Sequence, residues 1–206
     1  MQPTTILSDE HRVIEVVLEC LDRIAQQAAD SGRLDQESAE QAVDFFRTFA
    51  DGCHHGKEEK HLFPAMVAKG VPQNGGPVGV MLAEHDQGRR YISAMSGSIA
   101  EASKGEPDAI DAFTAAARAY SAMLRSHIMK EDQILFPLAA RILTEDDERS
   151  LMNAYDHVEH HHMGAGTHER YLELAVSLAS KYDVSSEALD KAKSHGSCGC
   201  HHAKKG

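Results

Sequence analysis

One repeat constrains this chain more than any other feature. His54, Glu58, Leu62, Phe63 and Pro64 return 73 positions later as His127, Glu131, Leu135, Phe136 and Pro137, and Glu10-His11 returns 74 positions later as Glu84-His85. Each half therefore carries one lone histidine, then His-x-x-x-Glu followed by Leu-Phe-Pro. Internal self-similarity of this kind marks a duplicated supersecondary unit. Residues four apart stand one above the other on a helix, so His54 and Glu58 share a face, as do His127 and Glu131. Two such helix pairs related by a pseudo-two-fold axis turn their polar sets toward each other.

The surrounding pattern is helical throughout. Leu7, His11, Ile14, Leu18, Leu21 and Ile24 form one stripe, with Ser8 placed to cap it and Ser31-Gly32 to end it. A second helix from about Asp35 carries Phe46, Ala50, His54, Glu58 and Leu62 and meets Pro64. Pro77 opens a third, with Met81, His85, Ile92 and Met95, which Gly105-Glu106-Pro107 breaks. The fourth, from about Asp108, aligns Tyr120, Leu124, His127, Glu131 and Leu135. No segment alternates like a strand. The expected class is all-α: an antiparallel up-down-up-down four-helix bundle with a C-terminal helical extension. Residues 1–143 would form the bundle. Residues 144–183 would pack on it as two further helices, the first opened by a capping box at Thr144 with Asp147. Residues 184–206 read as a disordered Cys/His tail.

Charge and cysteine usage narrow the partners. A formal net charge of -11 argues against nucleic acid or an anionic membrane, since both select a basic face. No apolar run approaches the roughly 20 residues that span a bilayer, and MQPTTILSDEHR has no signal-peptide pattern. The expected location is cytoplasmic. Cys20 and Cys53 fall inside helices and Cys198 and Cys200 in the tail, which is no disulfide framework. Histidine is the outlier, at 14 residues.

Buried carboxylates explain the residue types. A lone histidine on an apolar stripe is ordinarily a hydrogen-bonded core residue, but here the positions recur as a set. An unpaired carboxylate in a helical core costs several kcal/mol and would rather take up a proton. Two facing one another compound the problem. A pair of multivalent cations resolves it, because Glu can bridge two metals while imidazoles complete each. Nitrogen and carboxylate donors without thiolate suit iron, and manganese or zinc less specifically.

His11, the stretch HHGKEEKHLFP at 54–64, Glu84-His85 and HIMKEDQILFP at 127–137 resemble the hemerythrin-like, or HHE cation-binding, family over residues 5–140. The resemblance implies a four-helix bundle holding two iron ions in an oxo- or hydroxo-bridged centre. His11, His54, His85 and His127 would be terminal ligands, and Glu58 and Glu131 bridging ones. The oxygen-carrying members use five histidines, one Asp and one Glu. Where they place a second histidine four residues along the third helix, this chain has Arg89. Two histidines per metal would leave both metals an open position.

Further histidines compete with that set. His61 follows Glu58 by three but its repeat mate is Ile134, which makes it an outer-layer or core residue. His55 and Glu59 lie about 100° around the helix from His54 and Glu58 and read as outer-layer or solvated. The segment 155–174 resembles an extension found in a subset of bacterial members, in which Glu159 and His168 would fold over an open end of the bundle. The alternative is a capping helix pair with surface histidines. Three functions compete. The first is a di-iron protein that binds or reacts with oxygen, peroxide or nitric oxide, with catalase-like peroxide decomposition as its enzymatic form. The second is an iron, oxygen or redox sensing or iron-binding module, although no companion signalling domain is read here. The third is repair of iron–sulfur centres under nitrosative stress, with the Cys198/Cys200 pair in place of the cysteine-bearing N-terminal domain that such members carry.

Overall fold

The computed structural model describes residues 2–158 and 166–189, and among them every regular element is a helix. Helix α1 is Pro3–Ser31. Pro3, not Ser8, opens it: a proline at the first helical position gives up no useful N–H and arrives with a helical φ. Ser8 lies within the helix and its hydroxyl donates to Asp132 at 3.0 Å. The stop falls where Gly32 adopts φ 69°, a left-handed conformation that returns its N–H to the Ala28 carbonyl.

Helix α2 runs over residues 36–68. It begins at Gln36, capped by the Asp35 carboxylate accepting from the Ser38 N–H. Its middle is not regular α-helix. Phe46–His55 and Glu58–Leu62 are wide π turns with i→i+5 hydrogen bonds, such as Gly56 N–H to the Asp51 carbonyl. Phe63–Ala68 completes it, so the helix passes through Pro64 instead of stopping there. A proline ring inside a helix collides with the carbonyl four residues back. The π turn directly before Pro64 opens that turn and lets the helix continue. Helix α3 is Pro77–Ala102. Helix α4, residues 107–142, repeats the device: Pro107–Lys130, a π turn at Glu131–Leu135, then Phe136–Ile142 through Pro137. Helix α5 is Glu145–His157, with the Thr144/Asp147 capping box formed as the sequence suggests. Helix α6 is Thr167–Lys181.

Helix α1 packs against α2 and α4, and α3 packs against the same two. The α3–α4 approach is close at Gly88, where a Cβ would stand 3.3 Å from Met123 and 3.5 Å from Tyr120. Helix α5 lies on α1 and on the Glu58 π turn of α2, and α6 lies on α1 and α2. Two apolar clusters result. One gathers Leu18, Phe45, Phe46, Phe49, Tyr120 and Leu124 and extends through Tyr171, Leu178, Val184 and Leu189. Packing therefore continues to Leu189, beyond the point where the sequence reading placed the start of a disordered tail. The other cluster gathers Leu7, Leu62, Phe63, Leu135, Phe136, Leu151 and Tyr155. Along α1, His11 falls between Leu7 of one cluster and Ile14 of the other, which puts a polar layer between two dry ones. No helix of the described residues is long and apolar enough to cross a membrane.

Candidate metal centre

Helices α1 to α4 each send histidine into that polar layer, and the π turns of α2 and α4 add the two carboxylates. The side chains form two groups capable of holding a metal: His11, His54, Glu58 and Glu131 in one, and His55, Glu58, His85 and His127 in the other. Within each group the ligand atoms lie within 4.8 Å of one another. Glu58 belongs to both. Glu131 also spans them, with one oxygen 3.1 Å from His11 Nε2 and the other 3.2 Å from His127 Nε2. All seven side chains are buried, none more than 4% exposed. The structure thus brings together the six residues singled out by the repeat.

It also adds a seventh. His55 is buried, its ring stacked on that of His85 at 3.8 Å between centroids. The solvated reading of His55 is overturned, and the second group offers three histidines to the first group's two. His55 turns inward beside His54 because both lie in a π turn, where an extra residue per turn reduces the rotation between neighbours. The repeat carries the matching signal: the mate of His55 is Ile128, so this is where the two halves differ.

Hydrogen bonding fixes which nitrogen faces the centre. The Nδ1 atoms of His11, His54, His55, His85 and His127 lie 2.9, 2.9, 3.3, 2.7 and 2.9 Å from Asp132, Glu10, Asp51, Glu59 and Glu84. An ionised carboxylate only accepts, so each Nδ1 carries the proton and each neutral ring turns its Nε2 lone pair inward. The carboxylates are held in turn by cations: Asp132 by Arg12, Glu10 by Lys57, Glu84 by Lys130, and both Asp51 and Glu59 by Arg89. This outer layer obeys the repeat too. Lys57 and Lys130 are 73 positions apart, as are Glu59 and Asp132, a signal that the sequence reading left unused.

Without a cation these groups conflict. Nε2 of His85 and of His127 approach to 3.1 Å, a separation that needs a proton or a cation between the two nitrogens. Both Glu58 oxygens, His54 Nε2 and His55 Nε2 lack a hydrogen-bond partner among the described residues. Burial and the facing Glu131 carboxylate push the Glu58 pKa well above the usual range. Glu131 goes the other way: burial opposes its charge, but His127 and His11 hold it well below. Burial would lower the His127 pKa, yet Glu131 outweighs it and lifts the value to about 9, whereas burial and the neighbouring His55 drop His85 to about 3. Metal-free, the layer therefore takes up protons, at Glu58 and at His127. Multivalent cations can stand in their place, because each neutral imidazole and ionised carboxylate of the layer is a donor of electron pairs, and the set of imidazole and carboxylate without thiolate suits iron.

The remaining candidates lie elsewhere. His61 is outside both groups, with its ring 6.5 Å from that of Tyr155. His168 is also outside them; its Nε2 is 4.0 Å from Glu10, the residue that holds His54, and its ring stands 5.4 Å from Phe49. Glu159 and the Cys198/Cys200 tail are beyond the described residues.

Comparison with known proteins agrees with this chemistry. The family model of the hemerythrin HHE cation binding domain matches residues 2–139. Uncharacterized proteins of Mycobacterium bovis and Mycobacterium tuberculosis are each 22% identical over 148 residues, 70% of this chain. The match covers only 57% of the length of these curated relatives. No solved structure matches the chain.

Proposed function

The chain belongs to the hemerythrin HHE cation-binding family, and from that premise we propose that it is a di-iron protein that binds or decomposes a small oxidant. Residues 1–143 form the antiparallel four-helix bundle, and residues 144–183 are an extension packed on it. His11 and His54 would hold one iron and His55, His85 and His127 the other, with Glu58 and Glu131 shared between them. A bound iron pair supplies redox and Lewis-acid capacity toward oxygen, peroxide or nitric oxide. The observation that carries this reading is the convergence of five Nε2 lone pairs and two carboxylates in one buried layer.

The chain's own residues divide the remaining work. Carboxylates at every Nδ1 fix ring orientation and raise donor strength toward the centre. Leu7, Leu62, Phe136 and Tyr155 keep the layer dry on the α5 side, so charges inside it act at low screening. The uneven histidine count supports a division of roles. With one histidine fewer, the His11/His54 side would leave its iron a position for an incoming ligand.

Iron-loaded protein mixed with hydrogen peroxide should release oxygen without haem, followed with an oxygen electrode. Failure to consume peroxide while two irons remain bound would favour a sensing or iron-binding role for the same centre.

A further inference from the structure

Two buried tyrosines, Tyr120 and Tyr155, have hydroxyls with no hydrogen-bond partner among the described residues. By contrast, Tyr171 donates to Asp44 at 2.8 Å and Tyr182 to Asp35 at 3.1 Å. A buried hydroxyl left unpaired costs about 1–3 kcal/mol, and phenylalanine would fill the same space without that cost. Such a group calls for a partner beyond the described residues, and a ligand of the neighbouring polar layer is one that the position of the hydroxyl would suit.

Tyr155 stands where the partner would be the ligand of the centre. It belongs to α5, outside the family-matched residues, and is 1% exposed. Its ring lies 5.7 Å from the Lys57 ammonium and 6.5 Å from the His61 ring, so it covers the face of α2 that carries Lys57, Glu58 and His61. It shares an apolar cluster with Leu7 and Phe136, and Phe136 stacks on His11 at 5.4 Å. Phe63 of the same cluster stacks on His85, but Lys57 is bound to Glu10, the carboxylate that holds His54, and this places Tyr155 toward the His11/His54 side, where Glu58 and His54 also have atoms without a hydrogen-bond partner among the described residues. A phenol keeps its proton at neutral pH and can donate. Tyr120 lies in the other cluster, in edge contact with Phe46.

We propose that the Tyr155 hydroxyl donates a hydrogen bond to a small anionic ligand bound on the His11/His54 side, so that the extension completes the ligand pocket of the bundle. The proposal rests on the di-iron reading, and the experiment separates the two. The full-length iron-loaded chain is titrated with sodium azide, following the visible spectrum, for wild type, Tyr155→Phe and Tyr120→Phe, with iron content measured for each. A hydrogen bond to a charged group predicts azide binding about tenfold or more weaker in Tyr155→Phe. Iron content should be unchanged, and azide affinity in Tyr120→Phe should match wild type. Equal azide affinity in Tyr155→Phe and wild type, with iron intact, overturns the inference and leaves the di-iron reading standing. Loss of iron from Tyr155→Phe, or loss of a phenolate charge-transfer band present in wild type, overturns it in favour of direct ligation. A wild-type chain that takes up no iron ends both.

Discussion

At the scale of residues, orientation is set by a chain of charges running outward from the centre. Arg89 is its busiest link, because one guanidinium holds Asp51 at 2.9 Å and Glu59 at 2.6 Å, the carboxylates that orient His55 and His85. Arg89→Met leaves both carboxylates without their shared cation and both rings less fixed. Iron should then be held about 10–100-fold less tightly, the scale typical of losing outer-layer support, and chelator competition will read it. Affinity equal to wild type would mean that Arg89 serves only the surface. The sequence made six of the seven inward side chains legible, since recurrence inside apolar stripes is hard to obtain by chance. It missed His55 for a geometric reason. The reading assumed 100° per residue, and the π turn around Phe46–His55 breaks that assumption. It gave Glu59 as outer-layer or solvated but missed that role for Glu10, Asp51, Glu84 and Asp132, because charged residues just off an apolar stripe look like ordinary solvated ones.

At the scale of elements, the duplicated helix pairs explain why Glu58 and Glu131 each open a π turn ahead of Phe-Pro. The sequence pattern took the second helix only as far as Pro64, whereas the wider turn lets both helices run on through their prolines and carry their carboxylates inward. The extension is tied down at its far end by a different device. Asp35 caps α2 and also holds Lys181 at 2.7 Å and Tyr182 at 3.1 Å. Partial burial opposes the Asp35 charge, but its hydrogen bonds to Lys181, Ser38 and Tyr182 outweigh that and hold its pKa at about 2. A carboxylate with a depressed folded-state pKa stabilises the fold above its ordinary value and loses that effect as pH falls through the folded-state value. The stability gap between wild type and Asp35→Asn, both metal-free, should be full near neutral pH. It should narrow from about pH 4 downward and close near pH 2, as followed by urea unfolding. A gap independent of pH would show that the cap acts through shape and not charge.

At the scale of the whole molecule, one polar layer lies between two dry clusters. The helical class was legible because four amphipathic stripes and their stops are local signals. How α5 covers the Glu58 turn was not, since that contact depends on packing between distant segments. The arrangement is costly without metal: taking an ion out of water costs several kcal/mol even after relaxation, and neither Glu58 oxygen has a hydrogen-bond partner among the described residues. The account therefore depends on two cations sharing this layer. The most direct test is metal analysis with X-ray absorption on the iron-loaded chain. The account predicts two irons per chain, about 3–4 Å apart, each with imidazole and carboxylate in its shell. A single iron per chain, with no second metal scattering at that distance, would contradict it.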